Sequence, residues 1–191
     1  EEMGVPGVSP YLAFGKTYGK MTGMPVGLIQ TSLGGSPMER WNPKDGDLYL
    51  NMLDKIHQTG GKYAGVLWYQ GCSDTNPGPA EKYLEHFREY VEATRKELGY
   101  EIPFFTMQLN RQINGINDEC WGMVRDAQAR AAKEIPGVSV LTTSNLSLCD
   151  GIHNTAQANV ALGEKLAKQC AHVLNGKEEY QPPELVKVER A

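Results

Sequence analysis

Short apolar runs alternate along the chain with longer amphipathic segments. Each apolar run has the length of a buried β-strand and ends in glycine or polar residues, which is typical of a strand that leads into a loop. On this pattern we predict four strands, over residues 25–31, 64–70, 103–109 and 138–143. The longer segments repeat their apolar residues at helical spacing and predict helices over residues 11–21, 48–58, 80–98, 121–134 and 155–174.

The order of these elements indicates the fold class. Strands that alternate with helices are typical of a mainly parallel sheet covered by helices on both faces. We therefore predict an α/β protein with three layers, α/β/α, in one domain over residues 1–176. Residues 177–191 contain Pro182-Pro183 and mixed charges, and we expect them to form a loosely attached C-terminal tail.

Composition narrows the classes of partner. The formal net charge is -4 with interspersed signs, so there is no basic stripe for nucleic acid. No apolar run approaches the roughly 18 residues of a membrane span, and we expect no membrane partner. Small neutral substrates fit this composition better, and a homo-oligomer stays possible. The chain begins Glu1-Glu2, so its start does not decide the localisation.

The four cysteines are widely spaced along the chain. No two of them form a C-x-x-C pair, which argues against a zinc knuckle or a thioredoxin-type site. We expect free thiols at Cys72, Cys120, Cys149 and Cys170.

Polar residues follow each predicted strand. In open α/β sheets ligands bind beyond the carboxyl ends of the strands. We therefore expect Gly34-Gly35, Gln70-Gly71, Asn110-Arg111 and the loop over residues 144–153 to face one crevice.

The most specific local signal is Asp150-Gly151-Ile152-His153, just before the last predicted helix. An aspartate three residues before a histidine can turn back and accept a hydrogen bond from the imidazole Nδ1. This contact fixes the tautomer whose Nε2 accepts a proton from a nucleophile. The spacing predicts two members of a catalytic triad.

Three segments, in this order, carry a resemblance to a known family. They are PVGLI at 25–29 with TSLGGSPMERW at 31–41, GVLWYQG at 65–71, and DGIH at 150–153 with Leu162-Gly163. Together they resemble the carbohydrate acetylesterase branch of the SGNH hydrolases, which contains sialate O-acetylesterases and certain acetyl xylan esterases. The resemblance covers almost the whole chain. It implies a flavodoxin-like α/β/α fold and an acyl-serine mechanism without a cofactor or a metal.

The resemblance also implies roles for residues at matching positions. His153 is the expected base and Asp150 its orienting carboxylate. A backbone amide of Gly34 or Gly35 and the side-chain amide of Gln70 are expected to form the oxyanion hole. We predict that Asn110 and Arg111 contact the substrate, an acetylated sugar such as sialic acid or a xylan-type sugar. Ser32 and Ser36 fall in the oxyanion loop by this comparison, outside the triad.

Two departures from the family pattern affect these expectations. Cys72 stands where the family commonly has glutamate, so a carboxylate at that position is absent. The family's nucleophile lies in a G-Q-S-N stretch after the first strand, and this chain contains no such stretch. We therefore expect the first strand and the serine to belong to an N-terminal segment of the same protein, before Glu1.

Two other functions stay open at this point. The first is a cysteine hydrolase or acyltransferase in which Cys72 attacks and His153 activates it. The second is a carbohydrate-binding module without catalysis, in which aromatic side chains stack on sugar faces. Its candidate platforms are Trp41, Trp68 and Tyr69, although aromatic residues in apolar strand patterns are more often part of a core.

Overall fold

The computed structural model describes residues 7–176 of the chain. This part contains five α-helices and three short strands. In chain order they are α1 (Pro10–Thr22), α2 (Asp47–Thr59), β1 (Val66–Trp68), α3 (Pro79–Leu98), β2 (Phe104–Met107), α4 (Asp118–Glu134), β3 (Val138–Leu141) and α5 (Ala156–Asn175). Two 3-10 turns, Met38–Trp41 and Cys72–Asp74, lie in loops before α2 and after β1. The predicted α/β order is confirmed.

Local signals explain where α1 begins and ends. The Ser9 side chain accepts a hydrogen bond from the Tyr11 amide at 3.1 Å, and Pro10 occupies the first turn, where an amide hydrogen has no helical partner. The helix ends at Gly23, whose φ of 74° places it in the left-handed region that favours glycine. The helix predicted over residues 11–21 is therefore present.

The sheet is parallel throughout, in the order β1-β2-β3. Val66 lies beside Phe104 in one pair of strands, and Thr106 lies beside Val140 in the other. All four residues of the central strand β2 are buried, whereas Val66 and Leu67 of the outer strand β1 are only half-buried. Because the strands are parallel, their carboxyl ends meet at one edge of the sheet.

Helices cover both faces of this sheet. Phe104 points to the face covered by α2, α3 and α4, and Phe105 and Met107 point to the face covered by α1 and α5. Trp41 and Trp68 lie in the first core, with ring centroids 5.1 Å apart. They are only 3% and 5% exposed, so neither offers a surface on which a sugar could stack. The three-layer arrangement is confirmed.

The contact between α1 and α5 depends on one glycine. A Cβ atom on Gly163 of α5 would lie 2.1 Å from the Pro10 carbonyl oxygen and 2.9 Å from the Phe14 nitrogen. These partners are backbone atoms that cannot rotate away. The two helices therefore approach this closely only because residue 163 has no side chain.

The prediction of a strand over residues 25–31 is wrong. This segment forms no strand, and Leu28 and Ile29 are 50% and 39% exposed. A strand needs a neighbour that pairs with its backbone, and no strand within residues 7–176 pairs with this run. The sheet accordingly has three strands in the described part of the chain, where the sequence predicted four.

Two further observations concern the predicted C-terminal tail and the helices of the described residues. The tail predicted over residues 177–191 lies outside the described residues. Between residues 7 and 176, none of the helices combines the length and the apolar character needed to span a membrane.

Candidate active site

The carboxyl edge of the sheet brings three loops together, one after each strand. A direct contact joins two of them, because the Asn154 side chain in the loop after β3 donates to the Tyr69 hydroxyl at the end of β1, at 3.2 Å. The loop after β2 joins them through Asn110, whose amide donates to the Asn154 side-chain oxygen at 2.7 Å. The loops after the three strands therefore meet at Asn154, the residue that follows His153.

Asp150 and His153 form a hydrogen-bonded pair in the loop after β3. One carboxylate oxygen of Asp150 lies 2.7 Å from His153 Nδ1. The other accepts the backbone N–H groups of Ile152 and His153, at 2.8 and 2.7 Å. These backbone bonds, the one from His153 first, together with the imidazole contact, lower the pKa of Asp150 to about 2.

The state of Asp150 decides what His153 can do. An ionised carboxylate only accepts hydrogen bonds, so the neutral imidazole carries its proton on Nδ1. Nε2 is then an acceptor, and within residues 7–176 it has no hydrogen-bond partner. The His153 side chain is 65% exposed. The pair is therefore arranged as a base that can take a proton from a group entering from solvent.

The loop that carries this pair is held at both ends. The Cys149 amide donates to the His153 carbonyl at 2.9 Å, and the Thr155 amide donates to Ser147 at 3.0 Å. Thr155 also begins α5, because its hydroxyl accepts the Ala158 amide at 3.1 Å. His153 is thus positioned by a closed turn on one side and a helix start on the other.

Asn110 and Arg111, predicted to contact the substrate, both hold this loop. Asn110 is 1% exposed, and its amide donates to Leu146 O as well as to Asn154. Arg111 Nη1 donates to the carbonyl oxygens of Ser144 and Leu146, at 2.5 and 3.1 Å. The structure therefore places Asn110 behind the histidine loop. Contact with a substrate stays a prediction, and of the two residues only Arg111 is exposed.

Gly34 and Gly35 lie in the exposed loop over residues 32–37. Gly35 has a φ of 69°, and a Cβ atom there would meet nothing within 4 Å. The space beside it is open, so a ligand could approach its backbone. Ser36 in the same loop is buried, with its hydroxyl donating to Leu33 O and accepting from Trp41 Nε1. These contacts hold Ser36 inside the loop, away from a role as nucleophile.

Gln70 faces this glycine loop from the end of β1. Its Nε2 donates to the Ser36 carbonyl at 2.9 Å and to Asp74 Oδ2 at 2.5 Å. An amide nitrogen carries two hydrogens, so both are in use. Donation to an oxyanion would need one of these bonds to be shared or released. The role of Gln70 in an oxyanion hole stays a prediction.

Asp74 is a polar residue of this site to which the sequence assigned no role. It is 3% exposed, and its two oxygens accept the Met38 amide at 3.0 and 3.1 Å. Burial raises the pKa of Asp74, against the opposing effect of these hydrogen bonds. The only sequence signal was its place in the polar run after β1.

Cys72 lies near Asp150 and Asp74 but is not poised to react. Burial raises the pKa of its thiol to about 11, and the nearby carboxylates of Asp150 and Asp74 add to the effect. At neutral pH the thiol is therefore protonated, whereas a cysteine nucleophile acts as the thiolate. All four cysteines lie in the described part of the chain and carry free thiols, as expected.

The side chains of the described residues do not form a metal-binding cluster. The part of the chain over residues 7–176 contains no group of three or more histidine, cysteine, aspartate or glutamate side chains arranged to hold a metal ion.

Comparison with known proteins gives consistent results. Residues 1–172 match the family described as carbohydrate esterase, sialic acid-specific acetylesterase. A probable carbohydrate esterase from Arabidopsis thaliana is 28% identical over 173 residues. That alignment covers 86% of this chain and 64% of the relative, so the chain spans less than two thirds of its length.

Two solved structures share the fold. The X-ray structure of an Arabidopsis thaliana protein has a TM-score of 0.79 at 26% identity, over 90% of this chain and 71% of that one. A carbohydrate acetylesterase from Xanthomonas citri has a TM-score of 0.75 at 26% identity, over 87% of this chain and 40% of that one.

Proposed function

The chain belongs to the carbohydrate esterase family described as sialic acid-specific acetylesterases, and on this premise we propose that its protein removes O-acetyl groups from carbohydrates, with His153 as the base. The observation that carries the proposal is the Asp150–His153 pair, whose Nδ1···Oδ2 distance is 2.7 Å at the carboxyl edge of the sheet. This geometry orients an imidazole for proton transfer. Both sialic acid and xylan-type sugars are candidate substrates.

The proposed reaction has two halves. A serine hydroxyl attacks the acetyl carbonyl carbon while His153 Nε2 takes its proton, and a tetrahedral oxyanion forms. The bond to the sugar oxygen then breaks, and His153 returns the proton to that oxygen. Water attacks the acyl-serine in the same way, with His153 again taking and returning a proton. Acetate leaves, and the serine is regenerated.

The glycine loop is the proposed site for the oxyanion. Gly34 and Gly35 are exposed and have no side chains, so their amides can approach a substrate closely. Gln70 borders the same loop through its bond to Ser36 O. We assign the backbone amides as primary donors, because both hydrogens of the Gln70 amide already have acceptors.

The serine is proposed to come from a segment of the same protein outside residues 1–191. Two features of the fold support this. Strand β1 pairs on one side only within the described residues, and its Val66 and Leu67 are half-buried. Leu28 and Ile29 expose apolar side chains in a run that pairs with no strand of the described residues. A strand that carries the serine would pair with β1 and cover these apolar residues.

The test is acetate release by the active form, which is this chain together with the segment that supplies the serine. We expect release from acetylated sialic acid or acetylated xylan. His153→Ala should lower kcat by about a thousand-fold or more, because loss of a triad base removes proton transfer. His57→Ala is the matched control, since His57 is an exposed histidine paired with Glu97 on the protein surface.

Two results would contradict the proposal. The first is a folded His153→Ala variant that keeps more than about a tenth of kcat, a loss of under about 1.4 kcal/mol. The second is an active form that binds acetylated sugars but releases no acetate, which would favour a binding module.

A further inference from the structure

A buried carboxylate links the two elements proposed to stabilise the oxyanion. Asp74 is 3% exposed and sits in the 3-10 turn that follows β1. A buried charge is costly unless it is well hydrogen-bonded, and within residues 7–176 no lysine or arginine forms an ion pair with it. Its partners are N–H groups, from the Met38 backbone and the Gln70 side chain.

These partners connect Asp74 to both ends of the glycine loop. Met38 lies just after the loop, and its amide donates to both carboxylate oxygens. Gln70 passes the connection on, because the second hydrogen of its amide is donated to Ser36 O. The Ser36 hydroxyl in turn donates to Leu33 O, before the glycines. The backbone on either side of Gly34 and Gly35 is thus tied to one carboxylate.

Such a connection has a purpose in a loop with two glycines. Glycine has more backbone freedom than any other residue, so an isolated Gly-Gly pair samples many directions of its amides. An oxyanion hole works only when its donors are aimed in advance at the position where charge develops. The fixed direction of these amides must therefore come from contacts outside the pair.

We propose that Asp74 is a positioning residue that fixes the glycine loop for oxyanion stabilisation, through the Met38 amide and the Gln70 side chain, without touching the substrate itself. The inference rests on the proposed function for its catalytic consequence, but the loop contacts are independent of it. Asp74→Ala is the direct test. It removes both carboxylate oxygens, so the Met38 amide and the Gln70 side chain lose the acceptor that they share.

The first measurement is hydrogen exchange by NMR on the 191-residue chain. In Asp74→Ala the Met38 amide should exchange at least about tenfold faster, because its acceptor is lost. The amides of β2 provide an internal reference for global opening. Thr94→Val is the matched control, since it removes another buried hydrogen bond, from Thr94 Oγ1 to Tyr90 O within α3, far along the chain from the loop. It should leave Met38 relative to β2 unchanged.

The second measurement is steady-state kinetics on the active form. Asp74→Ala should lower kcat by about 30-fold or more with KM within about threefold, since removal of one oxyanion donor costs about 100-fold to 1000-fold in kcat. Thr94→Val should keep kcat within about threefold. The value of kcat is calculated per folded molecule, with the folded fraction measured by circular dichroism, so that mere destabilisation does not lower it.

The outcomes distinguish the positioning role of Asp74 from the proposed esterase function. Unchanged Met38 exchange in folded Asp74→Ala overturns the positioning role, as does a loosened loop with kcat within threefold of wild type. If the wild-type active form releases no acetate, the proposed function fails, while the exchange experiment still decides whether Asp74 holds the loop.

Discussion

The two carboxylate oxygens of Asp150 have different hydrogen-bond partners in the turn that carries His153. Oδ1 accepts two backbone amides and shapes the turn, while Oδ2 faces the imidazole. The folded pKa of about 2 lies below the ordinary value of 3.8. A lowered carboxyl pKa gives a stabilising contribution that is present above the unfolded value and is lost as pH falls through the folded one. Loss of activity in mild acid, above about pH 4, therefore does not come from Asp150.

The Cys72 thiol offers a prediction about pH. Because its pKa is raised to about 11, only about one molecule in several thousand is a thiolate near pH 7.5. Iodoacetamide should therefore modify Cys72 at least about 100-fold more slowly than a small thiol of ordinary pKa, and the rate should keep rising to about pH 10. Peptide mass spectrometry measures it, with Cys72→Ser as the control for assignment.

The opposite pH profile would favour the cysteine mechanism. Rapid modification of Cys72 at pH 7 that reaches a plateau near neutrality would show a low-pKa thiolate. Such a result would make Cys72 the candidate nucleophile beside His153.

Single residues differ in how far the sequence reveals them. Asp150 and His153 are three residues apart, so a local turn suffices to bring them together and the sequence predicted the pair. Asp74 and Met38 are 36 residues apart, so their contact exists only once the loop before α2 meets the end of β1. The burial of Asn110 likewise depends on the loop after β3. Long-range contacts of this kind were beyond the sequence pattern.

At the scale of elements, the packing of α1 against α5 requires a residue without a side chain at position 163. Gly163→Ala places a Cβ atom 2.1 Å from the Pro10 carbonyl, so the helices must separate. We expect the free energy of unfolding to fall by about 2 kcal/mol or more, at the upper end of the usual cost of overpacking. Urea unfolding followed by circular dichroism measures it.

A glycine in another helix provides the control. Gly122 lies in α4 with nothing within 4 Å of an added Cβ atom. Gly122→Ala should be neutral or stabilising by up to about 1 kcal/mol, since alanine is the better helix former. Equal stability of the two variants would show that α1 and α5 do not approach as closely as described.

Elements were easier to predict from the sequence than their pairing. Helices depend mainly on their own periodicity and end signals, so all five lie close to the predicted ranges. A strand depends on a neighbour. The run over residues 25–31 contains the apolar residues Val26, Leu28 and Ile29, yet it pairs with no strand among the described residues and forms no strand itself.

For the whole molecule, the proposed mechanism assigns to the site a base and elements of an oxyanion hole and places the nucleophile elsewhere. The 191-residue chain alone should therefore release acetate far more slowly than an esterase, since an incomplete triad retains only about a thousand-fold acceleration over water in the best-studied case. Strand β1 pairs on one side only within residues 7–176, and such an open edge should also favour aggregation.

The most direct test of this account is labelling with a fluorophosphonate probe, which modifies activated serines, followed by identification of the labelled peptide. We predict that the 191-residue chain alone is not labelled. Co-expression with the segment encoded before Glu1 should restore acetate release and place the label on a serine of that segment, and His153→Ala should abolish labelling. A label on a serine within the chain, with Ser32 and Ser36 the first to examine, together with normal turnover by the chain alone, would contradict the account.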